Sequence, residues 1–308
     1  MKTDISIVIV TYNSQEFIRR CLTSVLDNRP RRSHRIVVVD NASSDETAGI
    51  VRNEFPQVEL VCLPENVGFG RGNNAGFEHA PSRFYYCHNA DAYLQANVLD
   101  PAIQLFDADP KLGVVGLPLV FPDFSPQTSA YSASTPLKWA LQGLGVGALV
   151  KKLVEGNPEG LAARVLGKNP LGRTFVATHA ERGSTDIEQS PAEDVDWVCG
   201  AAMIIRDATI DELGHAFDPD IFMYGEDEEL CLRASRNGWK VKKANVTPVI
   251  HEFGWGKSVK ASRKVVDLKF DGLRVFIDKT YRDRPLSRIA MHAMLRMKYM
   301  TWKARSAG

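Results

Sequence analysis

Four short apolar runs, at 5–10, 35–39, 58–63 and 84–87, are rich in β-branched residues or, in the last, aromatic ones, and end in polar or acidic positions. They read as buried strands. Between the first two, Phe17, Ile18, Cys21, Leu22, Val25 and Leu26 recur at helical spacing within 14–28. A second helix is expected to open at Ser43 or Ser44 and run through Phe55, with Asp45 and Glu46 in its first turn, where acidic residues suit the helix dipole. Strand alternating with helix implies an α/β fold on a mostly parallel sheet flanked by helices. Residues 113–120 and 195–205 supply later strands. The stretch 121–194 is rich in Pro, Gly, Ser and Thr without clear period, and reads as an excursion from the sheet, helical around 137–154 and mobile near 178–192. After Pro248 the chain turns basic and ends in a helical pattern from 286 to about 303.

Composition narrows the class only a little. The 308 residues suffice for a large core, and a formal net charge of +1 gives no basic footprint for nucleic acid. Five scattered cysteines without a CxxC pair read as buried thiols of a reducing, cytoplasmic protein. No signal peptide precedes the first strand, and the longest apolar stretch, 137–150, is short and interrupted by glycine. Any membrane contact is therefore expected to be peripheral.

In open parallel sheets, ligands sit beyond the carboxyl ends of the strands. Here those ends carry Thr11-Tyr12-Asn13, Asp40-Asn41-Ala42-Ser43 and His88-Asn89-Ala90-Asp91, enough polar groups to surround one nucleotide. A dinucleotide-dependent oxidoreductase would need a glycine fingerprint after its first strand, where this chain has none.

The segments SIVIVTYNS (6–14), VVVDNASSDET (37–47), ENVGFGRGNNAG (65–76), HNAD (88–91), VDWVCGAAMIIR (195–206), FDPDIFMYGEDEELCLRA (217–234) and HEFGWG (251–256) together resemble glycosyltransferase family 2, inverting enzymes of GT-A fold, and within it the rhamnosyltransferase-like members. The resemblance implies a Rossmann-like GT-A catalytic domain over 1–256, with 121–194 as an inserted acceptor-side segment and 257–308 as a basic helical tail. It implies a nucleotide-sugar donor, dTDP-rhamnose first and UDP-sugars next. The acceptor would be a hydroxyl of a cell-surface glycan or lipid-linked precursor.

Asp40 would accept bonds from base or ribose, unless it serves as a helix cap. Thr11 and Tyr12 would line the base, with Tyr12 offering a stacking face unless it merely packs, and Asn13 and Asn41 would join the nucleotide-sugar site. The small residues from Gly68 to Gly76 read as a loop that lets backbone approach a ligand, while Arg71 brings charge for phosphate. Asn66 and Asn74 fit either ligand binding or turns.

Asp91 matches the last position of the family's Asp-x-Asp motif and would hold Mg²⁺ or Mn²⁺. Asn89 stands where that motif has its first aspartate. By the same resemblance His251 would be a second metal ligand or a phosphate donor. Asp227 would be the base that takes the acceptor proton, next to Glu226, though an acidic cluster also suits a helix N-terminus.

Trp197, Gly200, Ala201, Glu226 and Trp255 would form the sugar and acceptor pocket, with core packing as the other reading of the tryptophans. A catalytically silent nucleotide-sugar-binding or scaffold protein is the alternative function, favoured by Asn89 and opposed by Asp91 and Asp227. The tail combines Arg282, Arg284, Arg288, Arg296, Lys298, Lys303 and Arg305 with large apolar residues. It would lie on an anionic membrane, or else pack against the catalytic domain or a second subunit as a homodimer.

Overall fold

Strand β1 (Thr3–Thr11) is covered on both faces: Ile5, Ile7 and Ile9 pack in one apolar cluster and Val8 in another. A strand buried on both sides needs apolar residues at both parities, which is why these runs show no alternation. In this computed structural model, residues 2–143, 190–252 and 263–306 are described.

From β1 the chain continues through α1 (Ile18–Asp27), β2 (His34–Asp40), α2 (Thr47–Glu54), β3 (Glu59–Cys62), α3 (Phe69–His79), β4 (Ser82–His88), β5 (Ala92–Tyr93), α4 (Leu99–Ala108), β6 (Leu112–Gly116), β7 (Leu119–Val120), β8 (Pro126–Gln127), β9 (Ala130–Tyr131) and α5 (Pro136–Gly143). It resumes with β10 (Ala192–Asp194), β11 (Trp197–Val198), β12 (Ala202–Arg206), α6 (Asp207–Leu213), α7 (Glu226–Arg236), β13 (Lys240–Ala244), β14 (Val249–His251), α8 (Arg263–Thr280) and α9 (Pro285–Ser306).

The main sheet has the order β10-β13-β6-β12-β4-β1-β2-β3. Strands β4, β1, β2 and β3 run parallel, whereas β12 is antiparallel to both β4 and β6. Reversal of β12 has a consequence for the site, because its amino end lies where the parallel strands have their carboxyl ends. A four-stranded sheet β5-β14-β7-β8 sits beside this edge.

The structure corrects several boundaries. Helix α2 begins at Thr47, not Ser43 or Ser44, and Asp45 and Glu46 precede its first turn. The intervening loop is used otherwise: Asp45 accepts from the Thr47 N–H and hydroxyl, at 3.0 and 2.5 Å, and from the Gln15 N–H at 3.1 Å. That last bond, with Ser14 N–H to Thr47 Oγ1 at 2.8 Å, ties residues 14 and 15 to this loop, and α1 starts at Ile18, not Ser14. The run 195–205 splits into β11 and β12, and 113–120 into β6 and β7.

The largest correction concerns the glycine-rich segment. Residues 69–79 are not a loop but helix α3. A Cβ on Gly72 would lie 2.8 Å from Val10 Cγ1, and one on Gly76 would lie 2.4 Å from Val8 Cγ1. The glycines let the helix axis approach the sheet closely, at a cost in helix propensity of about 1 kcal/mol each.

Helices α8 and α9 pack on the same body. Phe276, Ile277, Tyr281, Met291 and Leu295 join Trp139 of α5 and Ile221 in a third buried cluster. Part of the excursion is ordered as β8, β9 and α5, while the segments expected to be helical or mobile within 144–189 lie outside the described residues.

Candidate active site

Strand register brings the first two polar ends together. Thr11 pairs with Asp40, and both are buried. Asp40 accepts from Thr11 Oγ1 at 3.2 Å and from the Ser43 N–H at 3.0 Å, so it organises its own loop without capping α2. Asn13, at φ 52°, receives the Ser44 N–H at 2.8 Å on Oδ1. Asn41 is buried and fully engaged: its Nδ2 donates to Gly68 O at 3.0 Å and its Oδ1 accepts from Val67 N–H at 2.9 Å. Tyr12 is half exposed and presents an open ring at this edge.

Several candidates in the glycine-rich segment 65–76 hold the frame. Asn66 Oδ1 accepts from the Gly68 N–H at 3.0 Å, and Gly68 has φ 89° with the Phe222 carbonyl pressed against the place a Cβ would occupy. Asn74 exchanges both amide bonds with the Phe217 backbone, at 2.8 and 3.1 Å. Arg71 is exposed and donates Nε–H to Pro219 O at 2.6 Å. These contacts tie α3 to the segment leading into α7.

At the end of β4 the turn carrying Asn89 and Asp91 meets β14. The Glu252 N–H donates to Asp91 O at 3.0 Å, and His251 Nε2 lies 3.3 Å from Asp91 Oδ1. The other ring nitrogen, Nδ1, is 2.9 Å from Gln127 Oε1 of β8. An Nδ1–H bond to Gln127 leaves the Nε2 lone pair facing Asp91, the orientation a metal-binding imidazole needs. Asn89 Nδ2 also approaches Nε2, at 3.2 Å, and donates to that lone pair. Gln127 escaped the sequence reading, since only the β7-β8-β14 sheet places it beside a histidine 124 positions away.

Among the described residues no three His, Cys, Asp or Glu side chains form a metal-binding group. The carboxylate oxygen and imidazole nitrogen of Asp91 and His251 do face each other, however, and both are donors that a Mn²⁺ or Mg²⁺ with remaining phosphate ligands accepts. The pair fits such an ion.

Asp227 stands in the first turn of α7. Its Oδ2 accepts from the Gly200 N–H at 3.2 Å and its Oδ1 from the Glu228 N–H at 2.8 Å. The next residue, Ala201, receives the Asn89 N–H on its carbonyl at 3.0 Å. Gly200 and Ala201, which lead into the reversed β12, therefore hold Asp227 with the N–H of the first and the Asn89–Asp91 turn with the carbonyl of the second. The neighbouring Cys199 thiol is pushed up to about 12, first by desolvation and then by Asp227, with Glu226 and Asp91 adding to the effect. All three carboxyls thus act on one point.

Burial raises Asp227 above the ordinary aspartate range, against the pull of its backbone donors. Glu226 is buried with an unpartnered Oε2; desolvation, and then the Asp227 charge, raise it strongly toward the neutral acid. Glu228, which the sequence leaves as a generic helix-terminal acid, accepts from the Ser134 N–H at 2.5 Å and its hydroxyl at 2.9 Å. Burial pushes it up to about 7. Trp197 stacks on Tyr131, with ring centroids 4.1 Å apart, and donates to Ser132 O at 3.2 Å. Trp255 lies outside the described residues.

A sequence model described as glycosyl transferase family 2 matches residues 6–152, which include the first three polar strand ends. Residues 6–152 are thus similar to glycosyl transferase family 2. The chain is also 24% identical over 256 residues to the N-acetylglucosaminyl-diphospho-decaprenol L-rhamnosyltransferase of Mycobacterium tuberculosis, covering 80% of this chain and 75% of that protein. Among solved structures it is similar to GalNAc-T7 crystallised with UDP, GalNAc and Mn²⁺, at a TM-score of 0.61 and 17% identity over 93% of this chain and 51% of that one. It is similar to residues 1–349 of Staphylococcus aureus TarS at a TM-score of 0.54 and 16% identity, over 90% of this chain and 65% of that one. The chain thus spans half to two thirds of these structures. The fold is GT-A, as the family resemblance implied.

Proposed function

We propose that this protein is a family 2 glycosyltransferase that moves a sugar from a nucleoside diphosphate donor to an acceptor hydroxyl by single displacement, with inversion. The observation that carries the reading is the peptide bridge Gly200-Ala201, which sets Asp227 and the Asn89–Asp91 turn on one short backbone stretch. Asp227 takes the acceptor proton as the hydroxyl oxygen attacks the anomeric carbon; the bond from that carbon to the phosphate oxygen breaks, and the nucleoside diphosphate leaves with the electron pair. Burial strengthens this base, because a carboxylate with a raised pKa holds the incoming proton better. Glu226, kept neutral, is a hydrogen-bond donor beside it. Asp91 and His251 would hold a divalent ion, which when bound neutralises the charge of the diphosphate. Gln127 keeps His251 turned toward Asp91, and exposed Tyr12 offers a face to the base.

Rhamnose from dTDP-rhamnose is the first donor to test, because the mycobacterial relative is an L-rhamnosyltransferase, followed by UDP-sugars. That relative's diphospho-decaprenol substrate also suggests a lipid-linked acceptor. Thermal shift with a panel of nucleotide sugars, with and without Mn²⁺, followed by transfer assays on the binders, tests this reading. Metal-dependent stabilisation by one donor and release of its nucleoside diphosphate are expected, both lost in Asp91→Ala. A silent nucleotide-sugar-binding protein is the second reading, favoured by the Asn89 amide that occupies the His251 lone pair. Binding without release on any acceptor would select it.

A further inference from the structure

Among the described residues, helix α9 has two apolar faces, one packed and one exposed. Met291 and Leu295 are buried in the cluster with Trp139 and Ile277, and the same side is pinned by Tyr299 Oη to Asp267 at 2.7 Å and by Lys298 Nζ over the Trp139 ring at 4.2 Å. By contrast Leu286, Ile289, Met297 and Met300 are 82, 65, 68 and 65% exposed. At roughly 100° per residue these four fall within about 80° of one another around the helix, roughly opposite Met291 and Leu295. They form a stripe about 21 Å long.

Charge along this element is of one sign. From Arg284 onward the sequence has six Lys or Arg and no Asp or Glu. Arg296 and Lys303 are exposed and lie along one border of the stripe, within about 40° of Ile289. No helix among the described residues is long and apolar enough to cross a membrane.

We propose that the outward stripe of α9 docks the protein on an anionic phospholipid bilayer. Large apolar side chains in a row, flanked by cations with no acid among them, match the boundary between acyl chains and anionic headgroups. An apolar stripe destined for a second copy of the chain would meet the same cations across the two-fold axis, and like charges oppose that pairing. The inner face gives docking a direction. Helix α9 packs on α5; Ser134, two residues before α5, is held by Glu228, the neighbour of Asp227, and Tyr281 Oη also donates to Ser134 O. A docked α9 is therefore linked through α5 and Ser134 to the helix that carries Asp227. The inference stands on α9 and not on the sugar chemistry.

Co-sedimentation of the full chain with vesicles containing phosphatidylglycerol, and with phosphatidylcholine vesicles, tests it at low and high salt. Binding to the anionic vesicles alone is expected, weakened by salt. Ile289→Asp/Met297→Asp should bind at least tenfold more weakly with an unchanged melting temperature. Arg296→Gln/Lys303→Gln should lose roughly 30-fold at low salt, at about 1 kcal/mol per cation. Absence of wild-type binding to anionic vesicles, or equal binding by the Ile289→Asp/Met297→Asp protein, overturns the proposal. So does a concentration-dependent doubling of mass that this variant abolishes in a protein that ignores vesicles, which would give the stripe to a second copy. Nucleotide-sugar thermal shifts on the same proteins report separately on the donor site.

Discussion

Replacing Asp227 by Asn separates the proposed base from the frame that holds it. The aspartate accepts two backbone N–H groups, from Gly200 and Glu228, one on each oxygen. Asparagine keeps one acceptor oxygen and turns an NH₂ toward the other donor, leaving an N–H unpaired at a cost of about 1–3 kcal/mol of stability. That amounts to a fall of several degrees in melting temperature for a chain of this size. Loss of a general base costs about 10²- to 10⁴-fold in rate, or roughly 3–5 kcal/mol of barrier. The two effects read out differently. Turnover at saturating donor and acceptor should drop by at least a hundredfold, while nucleoside diphosphate affinity by calorimetry stays within a few-fold, since Asp91 and His251 are untouched. In the wild type the acid limb of the rate profile should lie above the ordinary aspartate range, because burial raises Asp227 and only its ionised form takes the proton. Turnover within tenfold of wild type, or a loss of diphosphate affinity equal to the loss of rate, would refute the assignment.

Gln127→Leu removes the partner of His251 Nδ1 and should weaken Mn²⁺-dependent nucleoside diphosphate binding by about 10- to 100-fold, measured by calorimetry; unchanged affinity would remove Gln127 and His251 from the metal argument. Glu228 titrates near 4.5 ordinarily and is pushed to about 7 by burial, so between those values the native state holds a proton the unfolded chain has released. Its contribution to stability therefore falls as pH rises from about 4.5 to about 7, by roughly 3 kcal/mol, and Glu228→Gln should flatten that slope in urea unfolding. The opposite slope difference would show that the ionised form is the one the fold prefers. Gly76→Ala puts a Cβ 2.4 Å from Val8 Cγ1, and overpacking of roughly 1–3 kcal/mol should outweigh about 1 kcal/mol of gained helix propensity and lower the melting temperature. A melting temperature at or above wild type would show that α3 can lift from the sheet at little cost.

Strand ends were legible in the sequence because a buried parallel strand announces itself by a continuous run of β-branched or aromatic residues, and the polar residues after such a run must lie at the sheet edge. Thr11, Asp40 and Asp91 could therefore be placed from the sequence alone. The motif around Asp227 was legible through family resemblance, and its helix through the acidic first turn. Residues 65–76 misled because small residues suit both a phosphate loop and a helix pressed on a sheet; only the distances from Gly72 and Gly76 to Val10 and Val8 distinguish them. Whether an asparagine binds a ligand or braces a turn is likewise decided by its neighbours, and Asn41 and Asn74 spend their amides on Gly68, Val67 and Phe217. The Asp91–His251 pair, its partner Gln127, and the Glu228–Ser134 clamp join residues far apart in the chain. Side-chain periodicity records which face of an element is buried, but not which distant element covers it. That choice was made by the crossovers and by the reversal of β12, which carries Gly200 and Ala201 to the edge where the parallel strands end.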